Sequence, residues 1–346
     1  MSRDVWLVDP AGERVTDVLG SPVGSVGSQG RVFRLRNRPD TVVKVLHRVD
    51  PALLADRLRV MLADPADWTV RHGRYMVAWP TATVYRADGR LLGYAAPRLA
   101  PPHFAPLPLL FNPAARARML PGATWSWWLT VAEELARAVD LVHQRGHVIG
   151  DLAPANVFVS ATGAVCLIDA DGWQLYDPAA DAELPCPFSR PEYTAPEHLD
   201  TLPARREPGS DNWALAVLVG QLLCLGFHPF GGVPPGAPGV VEEIDNVRHR
   251  RCRLLGADLR APVAAVGPDV LPAVLRRRLA DALVTGYDVP AARPGPPSWA
   301  AALAHTRDRL VRCPTVATHV HSAERPGCPW CQLVAAGAPE PFPEGG

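Results

Sequence analysis

The sequence predicts an α+β protein with a strand-rich first lobe, a helical second lobe, a cleft between them and a short cysteine-containing tail. Three observations support this prediction. Short β-branched runs fill the first third of the chain, helical periodicity dominates the remainder, and a C-x-x-C pair lies near the end. Apolar residues make up 48% of the 346 residues and charged residues 20%, which is typical of a folded protein and excludes general disorder.

The order of elements follows from turn signals and from the spacing of apolar residues. Within residues 15–46, β-branched runs flank the turn sequence RNRPD, which predicts a hairpin. Residues 51–64 have helical spacing, and Asp88-Gly89 separates two further alternating runs. The proline-rich residues 100–122 predict a connector. Helices are predicted at 125–145, 210–227 and 268–286, and short strands at 155–175.

Charge and hydropathy exclude several classes of function. Lys and Arg number 35, as do Asp and Glu, so no net positive charge is available to hold a nucleic-acid backbone. The N-terminus is charged where a signal peptide needs an apolar core, and the longest apolar run, 213–227, is too short to span a membrane. We therefore expect a cytoplasmic protein that binds neither nucleic acid nor membranes.

Two carboxylates and one carboxamide form the most specific pattern in the chain. Asp151 lies in VIGDLAPANVFV, Asn156 follows in the same stretch, and Asp169 lies in VCLIDADGW. Phosphoryl transfer needs one carboxylate to accept the proton of an attacking hydroxyl, and a second, with an amide oxygen, to hold Mg²⁺ against the phosphates. On loops that flank short strands, these residues indicate a phosphate-transfer site. The alternative is that they are ordinary turn residues.

With these motifs the chain resembles a protein kinase, in order from about residue 19 to residue 304. Asp151 and Asn156 match the catalytic-loop pattern, so the resemblance implies that Asp151 is the catalytic base. It also implies that Asn156 and Asp169 are metal ligands. Three later features match in order: Ala195-Pro196-Glu197 at the end of the activation segment, Asp211 as the aspartate that braces the catalytic loop, and Arg293. Asp211 also fits a helix N-cap.

The N-terminal third adds nucleotide-binding candidates. Gly27-x-x-Gly30-x-Val32 resembles the second half of a kinase glycine-rich loop, and Lys44 resembles the strand lysine that contacts the α- and β-phosphates. The resemblance implies that a helix carboxylate pairs with this lysine. Asp56 has the better position, and Asp64 is the other candidate. Alternatively, the glycines only shape a hairpin and the lysine faces solvent on an edge strand.

Within kinases, the chain resembles a bacterial kinase-like family with Asp-x-Asp in place of Asp-Phe-Gly and a zinc-ribbon-like CPWC tail. Asp169-Ala170-Asp171 fits that motif, and Asp171 is expected to recruit a second metal or to face solvent. The resemblance implies ATP, Mg²⁺ (or Mn²⁺) and Zn²⁺ as cofactors, and a protein substrate phosphorylated on Ser or Thr. It also implies a von Willebrand A protein and a metal-dependent phosphatase as partners. We assign 1–97 to the kinase N-lobe, 98–308 to the C-lobe, 309–334 to a zinc knuckle and 335–346 to a disordered tail.

Several positions depart from the kinase pattern. Ile149 and Gly150 replace the usual His and Arg before the catalytic aspartate, which argues against control by a phosphorylated activation loop. Ala153 and Ala155 leave the catalytic loop without a cation, so charge on the γ-phosphate would be stabilised by Lys44 and the metal ions alone. These departures favour a slow enzyme, or alternatively a pseudokinase scaffold that binds nucleotide weakly or not at all and docks protein partners.

The tail contains a candidate metal site. Cys328 and Cys331 form the C-x-x-C pair, Cys313 precedes them, and His319 or His321 completes a set of four ligands. A Cys₃His zinc site stabilises a short segment that has no core of its own. One alternative is a redox dithiol, which would leave Cys313 unused. Another is that the knuckle is a docking module for other proteins.

Overall fold

The chain has a mixed α and β fold in a computed structural model that describes residues 3–24, 30–47, 49–64, 66–100, 103–200 and 205–343. The strands are β1 (Asp4–Val8), β2 (Arg14–Val23), β3 (Gly30–Leu35), β4 (Thr41–Leu46), β5 (Val70–Arg71), β6 (Arg74–Tyr75), β7 (Ala82–Arg86), β8 (Leu91–Pro97), β9 (Ala105–Pro106), β10 (Val157–Val159), β11 (Val165–Leu167), β12 (Leu175–Asp177), β13 (Ala182–Leu184), β14 (Leu310–Arg312) and β15 (Val320–Ser322). The α-helices are α1 (Pro51–Ala63), α2 (Leu107–Leu110), α3 (Pro113–Met119), α4 (Trp125–Gln144), α5 (Pro208–Leu223), α6 (Glu243–Arg248), α7 (Ala273–Ala280), α8 (Gly286–Asp288), α9 (Pro296–Arg307) and α10 (Pro329–Ala335).

Six N-terminal strands close into a barrel in the order β1-β2-β3-β4-β8-β7. All neighbouring pairs are antiparallel. Its interior is filled by side chains from alternate strand positions, such as Val5, Val43 and Val84, each at most 1% exposed. The predicted hairpin within 15–46 and the paired strands around Asp88-Gly89 are confirmed.

The strand register fixes the position of Lys44 in the barrel wall. Lys44 lies opposite Val32 of β3 on one side and opposite Tyr94 of β8 on the other. A Cβ atom on Gly93 would lie 1.9 Å from the carbonyl oxygen of Lys44, so a side chain at Gly93 would push β4 and β8 apart. Glycine at this position therefore allows the close approach of the two strands that carry Lys44 and Tyr94.

Helix α1 packs against the outside of this barrel. It begins at Pro51, and the Asp50 side chain accepts a hydrogen bond from the backbone N–H of Ala52 at 2.8 Å. Its buried face places Leu54 and Leu58 against Tyr94. The helix predicted over residues 51–64 is therefore confirmed, and its inner face adjoins the strand that supplies Tyr94.

Long helices form the core of the remaining chain. Helix α4 buries most of one face and matches the predicted helix 125–145, whereas all side chains from Trp213 to Leu223 in α5 are buried. Helix α5 ends at Leu223 rather than at residue 227, because Leu225 and Gly226 adopt positive φ angles that an α-helix does not allow. Among the described residues, no helix is long and apolar enough to cross a membrane.

The segment 100–122 is not the plain connector that its prolines predicted. It contains β9, α2 and α3. Pro113 occupies the first turn of α3, where no backbone N–H is needed, and the Asn112 side chain accepts a hydrogen bond from the N–H of Ala115 at 3.0 Å. Proline here starts a helix instead of preventing one.

A buried ion pair ties the Ala195-Pro196-Glu197 segment to the helical core. The Arg293 side chain is fully buried and donates to both carboxylate oxygens of Glu197 at 2.7 Å. It also donates to the carbonyl oxygens of Gly286 and Gly209 at 2.7 and 2.8 Å. These four hydrogen bonds satisfy the buried guanidinium. Because its charge is buried, the stability of the fold depends on the Glu197 carboxylate that neutralises it.

The C-terminal residues correct our expectation of a disordered tail over 335–346. In the described part, up to Pro343, the Phe342 side chain is 1% exposed and packs edge-on against Trp330, with ring centroids 5.0 Å apart. The buried Arg116 donates to the carbonyl oxygen of Pro341 at 2.7 Å. This packing could not be predicted from the sequence, because a single phenylalanine among prolines has no periodicity.

Removing Glu197 tests the buried ion pair. We expect Glu197→Ala to lower the free energy of unfolding in urea by about 2–3 kcal/mol, because the Arg293 charge is left buried without a carboxylate. The matched control is Asp288→Ala, which breaks an equally two-pronged but exposed pair with Arg250. This control is expected to leave the unfolding free energy unchanged within error. Equal losses in the two variants would contradict the prediction.

The same pair makes stability depend on pH. Burial raises the pKa of the Glu197 carboxyl group, but hydrogen bonds from Arg293 more than offset this and hold the pKa below its usual value. A lowered folded-state pKa stabilises the protein above the ordinary glutamate pKa, and this contribution is lost as the pH falls through the lowered value. The stability difference between wild type and Glu197→Gln should therefore be constant near neutral pH and shrink below about pH 4, as measured by urea denaturation.

Candidate functional site

A cleft of about 670 Å³ lies between β3 and β4 on one side and the loops around β10 and β11 on the other. An apolar recess of about 190 Å³ adjoins it and shares Val32, Lys44 and Asp169 with it. The recess is lined mainly by apolar residues, among them Val23, Val42, Ala78, Ala96, Phe158 and Ile168. The polar residues that line the main cleft are Lys44, Asp151, Asn156, Asp169, Ser189 and Arg190. The four predicted catalytic residues therefore meet in one space of the size that small ligands occupy.

Asp211 holds the loop that carries Asp151. Its carboxylate is 1% exposed and accepts hydrogen bonds from the backbone N–H groups of Ile149 and Gly150 at 2.7 and 2.8 Å. It also lies 2.9 Å from Nε2 of His143. The alternative interpretation of Asp211 as an N-cap is wrong, because α5 begins at Pro208 and Asp211 lies inside its first turn. The bracing contact expected from the kinase resemblance is present.

Gly150 has a local structural reason to replace the usual arginine. Its φ of +71° lies in the left-handed region, where side chains are strained. A Cβ atom there would also lie 2.7 Å from Sγ of Cys186. The carbonyl oxygen of Gly150 accepts a hydrogen bond from Arg206. An arginine from a later segment of the chain therefore supports this loop.

Asp151 and Asn156 contact each other directly. The side-chain amide of Asn156 donates to the backbone carbonyl oxygen of Asp151 at 2.9 Å and to its carboxylate Oδ2 at 3.1 Å. A short 3₁₀ turn, Pro154–Asn156, separates the two and lets Asn156 fold back. Burial raises the pKa of Asp151, while the nearby Arg190 opposes the rise. The amide of Asn156 thus orients the Asp151 carboxylate in the cleft.

Lys44 lies between two carboxylates of the Asp-x-Asp motif. Its ammonium group is 3.0 Å from Asp169 Oδ1 and 2.8 Å from Asp171 Oδ1. Burial lowers the pKa of Lys44, but the two carboxylates outweigh that effect and raise it above the usual value. The Asp169 side chain is 39% exposed, so it also faces the cleft, whereas the Asp171 side chain is 4% exposed. The alternative of a solvent-facing edge-strand lysine is wrong.

Asp169 has a backbone conformation that few residues adopt. Its φ is +64° and its ψ is +34°, the left-handed region that aspartate tolerates better than most side chains. Such conformations persist where the surrounding contacts hold them and are common at functional sites. This left-handed turn lies between the partly exposed carboxylate of Asp169 and the buried carboxylate of Asp171.

The expected pairing of Lys44 with Asp56 is wrong. Asp56 is exposed on α1, and Asp171 occupies the carboxylate position beside the lysine instead. Tyr94 fixes this arrangement, because its hydroxyl donates to the same Asp171 oxygen at 2.6 Å. We expected Asp171 to recruit a second metal or to face solvent. Both expectations are wrong, because its side chain is buried and is held by Lys44 and Tyr94. Sequence spacing along α1 could not show that the loop after β11 supplies the partner.

Arg57 is a buried residue of this site that the sequence interpretation missed. Its guanidinium donates to the backbone carbonyl oxygens of Asp171 at 2.6 Å and of Pro185 at 3.0 Å, and also to that of Trp173. These contacts join α1 to the Asp-x-Asp loop. A signal was available: Arg57 lies three residues after Leu54 on the apolar face of α1, where a charged side chain needs a buried partner.

The glycine segment is only partly described. Gly27 lies outside the described residues. Gly30 begins β3 and lines the main cleft, and a Cβ atom there would lie 2.4 Å from the carbonyl oxygen of Val45. Val32 lines both the cleft and its apolar recess. Close packing of β3 on β4 is thus one reason for glycine at position 30. The other, expected from the sequence, is that glycine lets phosphate oxygens approach the backbone.

Four side chains of the tail, all of metal-ligand types, meet in a Cys₃His cluster. One ligand atom from each of Cys313, His319, Cys328 and Cys331 lies within 4.8 Å of the others. Sγ of Cys313 and Cys331 are 3.7 Å apart, and His319 Nδ1 lies 3.5 and 3.4 Å from the sulfurs of Cys328 and Cys331. A tetrahedral zinc site with Zn–S bonds of about 2.3 Å has ligand–ligand distances of about 3.6–3.8 Å. The cluster fits such an ion.

The protonation chemistry of this cluster also fits a cation. A hydrogen bond from the backbone N–H of Thr315 lowers the pKa of Cys313 to about 6. Burial and the neighbouring sulfurs raise the pKa of Cys331 to about 12. The three thiols therefore resist full ionisation by themselves, and a bound cation would remove this opposition.

The structure distinguishes the two candidate histidines. His319 directs Nδ1 at the sulfurs, and its Nε2 lies 2.7 Å from the carboxylate of Glu340. A carboxylate on the outer nitrogen holds the proton there and leaves Nδ1 free to bind a metal. His321 directs Nδ1 at the carbonyl oxygen of Ser322 and is outside the cluster. Glu340 is a supporting residue that the sequence interpretation missed.

Comparison with known proteins agrees with the geometry. Two relatives named Protein kinase YegI, from two strains of Escherichia coli, are 31% and 32% identical over 96% and 94% of the chain. These alignments cover 51% and 50% of the relatives, so the chain spans about half the length of the curated relatives it matches. A probable cAMP-dependent protein kinase catalytic subunit from Encephalitozoon cuniculi is 34% identical over 99 residues. No protein-family model matches the chain. The similarities support a kinase-like family.

Mutation can test the assignment of Asp171, rather than Asp56, as the carboxylate partner of Lys44. Asp171→Ala leaves the Tyr94 hydroxyl unpaired and removes one of the two carboxylates that neutralise Lys44, so we expect the free energy of unfolding to fall by about 2 kcal/mol. The matched control, Asp56→Ala, removes an exposed carboxylate and should leave stability unchanged. Urea denaturation measures both. A larger loss for Asp56→Ala would contradict the assignment.

Proposed function

We propose that the chain is an ATP-dependent protein kinase with a two-lobed kinase-like fold that transfers the γ-phosphate to Ser or Thr hydroxyls of a protein substrate. The observation that carries the proposal is the meeting of Lys44, Asp151, Asn156 and Asp169 in one cleft beside an apolar recess. The curated relatives named as protein kinases support the same reaction class. The acceptor class rests on the kinase resemblance.

In this proposal ATP occupies both the apolar recess and the main cleft. The recess lined by Val42, Ala96 and Ile168 is apolar and takes the purine ring. Lys44 faces the phosphates, as its position at the junction of recess and cleft allows. The oxygens of Asn156 and Asp169 are the ligand types that Mg²⁺ or Mn²⁺ prefers, and both line the cleft. The bound metal ion supplies neutralisation of phosphate charge.

Asp151 serves as the base in the proposed transfer. It accepts the proton of the acceptor hydroxyl as the hydroxyl oxygen forms a bond to the γ-phosphorus. The bond between that phosphorus and the bridging oxygen of ADP breaks, and the electron pair leaves with ADP. The Asn156 amide keeps the Asp151 carboxylate oriented while this happens. Positioning and charge, rather than a covalent intermediate, account for the chemistry.

We propose that the tail binds one Zn²⁺ ion through Cys313, His319, Cys328 and Cys331. The donor set and its spacing support zinc, and a closed set of four protein ligands is typical of a structural rather than a catalytic site. Partners of the von Willebrand A and metal-dependent phosphatase classes, and a cytoplasmic location, stay predictions from the sequence.

A transfer assay tests the proposed reaction. Purified protein with labelled ATP, Mg²⁺ or Mn²⁺ and generic protein acceptors should label Ser or Thr, as read by phosphoamino-acid analysis. Asp151→Asn should reduce labelling by about 100-fold or more, because the base is lost while shape is kept. The control Asp140→Asn changes a half-buried residue of α4 that pairs with Gln144 and does not line the cleft. Labelling unchanged in Asp151→Asn would refute the assignment, and ATP binding without transfer would favour the pseudokinase alternative.

Metal analysis tests the zinc proposal. The purified protein should contain one equivalent of zinc, and His319→Ala should lose it, whereas His321→Ala should retain it, because only His319 directs a nitrogen at the sulfurs. His319→Cys keeps four ligands and should also retain zinc. Elemental analysis measures all four proteins. Equal zinc content in the two alanine variants would contradict the ligand set.

A further inference from the structure

The proposed kinase site contains a cation that the catalytic-loop sequence does not supply. The two loop positions in question are Ala153 and Ala155, and alanine carries no charge. The loop itself therefore provides no positive charge. Of the described residues that line the main cleft, Lys44 and Arg190 are the cationic ones. Lys44 already lies between two carboxylates. Arg190 is therefore the positive charge in the cleft with the least neutralisation.

Arg190 reaches the base from a different segment of the chain. Its Nε lies 3.5 Å from Oδ1 of Asp151, and its Nη2 lies 3.4 Å from Oδ1 of Asn156. The buried Oδ1 of Asp151 has no hydrogen-bond partner among the described residues, so Arg190 is near it but not bonded to it. Both contacts are long, and a guanidinium has five donors. Most of its hydrogen-bonding capacity is free for a ligand.

The main chain at Arg190 is held while its side chain faces the cleft. The carbonyl oxygen of Arg190 accepts hydrogen bonds from the Thr194 hydroxyl at 2.8 Å and from the N–H of Tyr193 at 2.9 Å. The Tyr193 hydroxyl in turn donates to Gln221 of α5 at 2.9 Å. The Arg190 side chain itself is 34% exposed. A fixed backbone with a partly exposed side chain suits a residue that binds a ligand.

We propose that the Arg190 guanidinium binds the γ-phosphate oxygens of ATP and supplies the positive charge that Ala153 and Ala155 leave out. This inference rests on the proposed kinase function. The acceptor oxygen that gives its proton to Asp151 attacks the γ-phosphorus, so a cation 3.5 Å from Asp151 lies beside the transferred group. The planar fork of arginine matches phosphate oxygens in two-pronged contacts. Charge stabilisation is thus shared between Lys44, the metal ion and Arg190, contrary to the expectation from the loop sequence.

Paired measurements of binding and transfer test this role. Arg190→Ala should reduce kcat by about 100-fold, the usual effect of removing one charge-stabilising donor. It should weaken ATP binding about tenfold and leave ADP binding within about twofold, because only ATP has the γ-phosphate. Arg190→Lys keeps the charge and should recover part of kcat. The control Arg205→Ala removes an exposed arginine that pairs with Glu183 and should match wild type.

A second-site rescue separates charge from structure. Ala155 is exposed and lines the same cleft, so Arg190→Ala combined with Ala155→Arg should regain at least tenfold in kcat. If Arg190→Ala does not fold, Arg190→Met keeps the side-chain length and replaces it in both measurements. Equal weakening of ATP and ADP binding would overturn the inference, as would unchanged or increased kcat in the variant. Absence of transfer in the wild type would refute the kinase function, and the ATP-to-ADP comparison would still decide the role of Arg190.

Discussion

The ion cluster of Lys44 with Asp169 and Asp171 is the interaction on which the cleft depends. It joins a barrel strand to the loop after β11, and it places one buried cation between two anions. Buried charges are tolerated only when they are paired and hydrogen-bonded, and Tyr94 supplies a further donor to Asp171. The cluster still carries excess negative charge at the exposed Asp169. That excess makes the cleft suited to a divalent cation.

Two substitutions in the motif have matching compensations elsewhere in the fold. The carboxylate expected from α1 comes from Asp171, and α1 instead contributes Arg57, which binds the backbone of the same loop. The loop that carries Asp151 lacks a cation, and Arg190 reaches Asp151 from the segment before Pro191. In both cases a charge that the kinase resemblance leads us to expect on one segment comes from another segment of this chain.

The tail belongs to the helical part of the chain and does more than surround the Cys₃His cluster. Glu340 contacts the outer nitrogen of His319, and Phe342 packs on Trp330, which also contacts Trp125 of α4. Arg116 binds the carbonyl oxygen of Pro341. The Cys₃His cluster, the last described residues and the helical core thus support one another, because a knuckle this small has little apolar surface of its own.

The sequence by itself determined the hairpin strands within 15–46 and the paired strands around Asp88-Gly89, but neither β1 nor the closure of these strands into a barrel. It also determined helices α1 and α4, the loop residues Asp151, Asn156 and Asp169, and the three cysteines with two candidate histidines. These depend on local periodicity, turn residues and spacing, which a single segment contains. It did not determine the partner of Lys44, the burial of Arg57, the approach of Arg190, or the choice of His319 over His321. Each of those is a contact between side chains far apart in the chain. Only the packing of the barrel against the helices decides which charges meet, because a buried charge takes whichever partner the fold brings within reach.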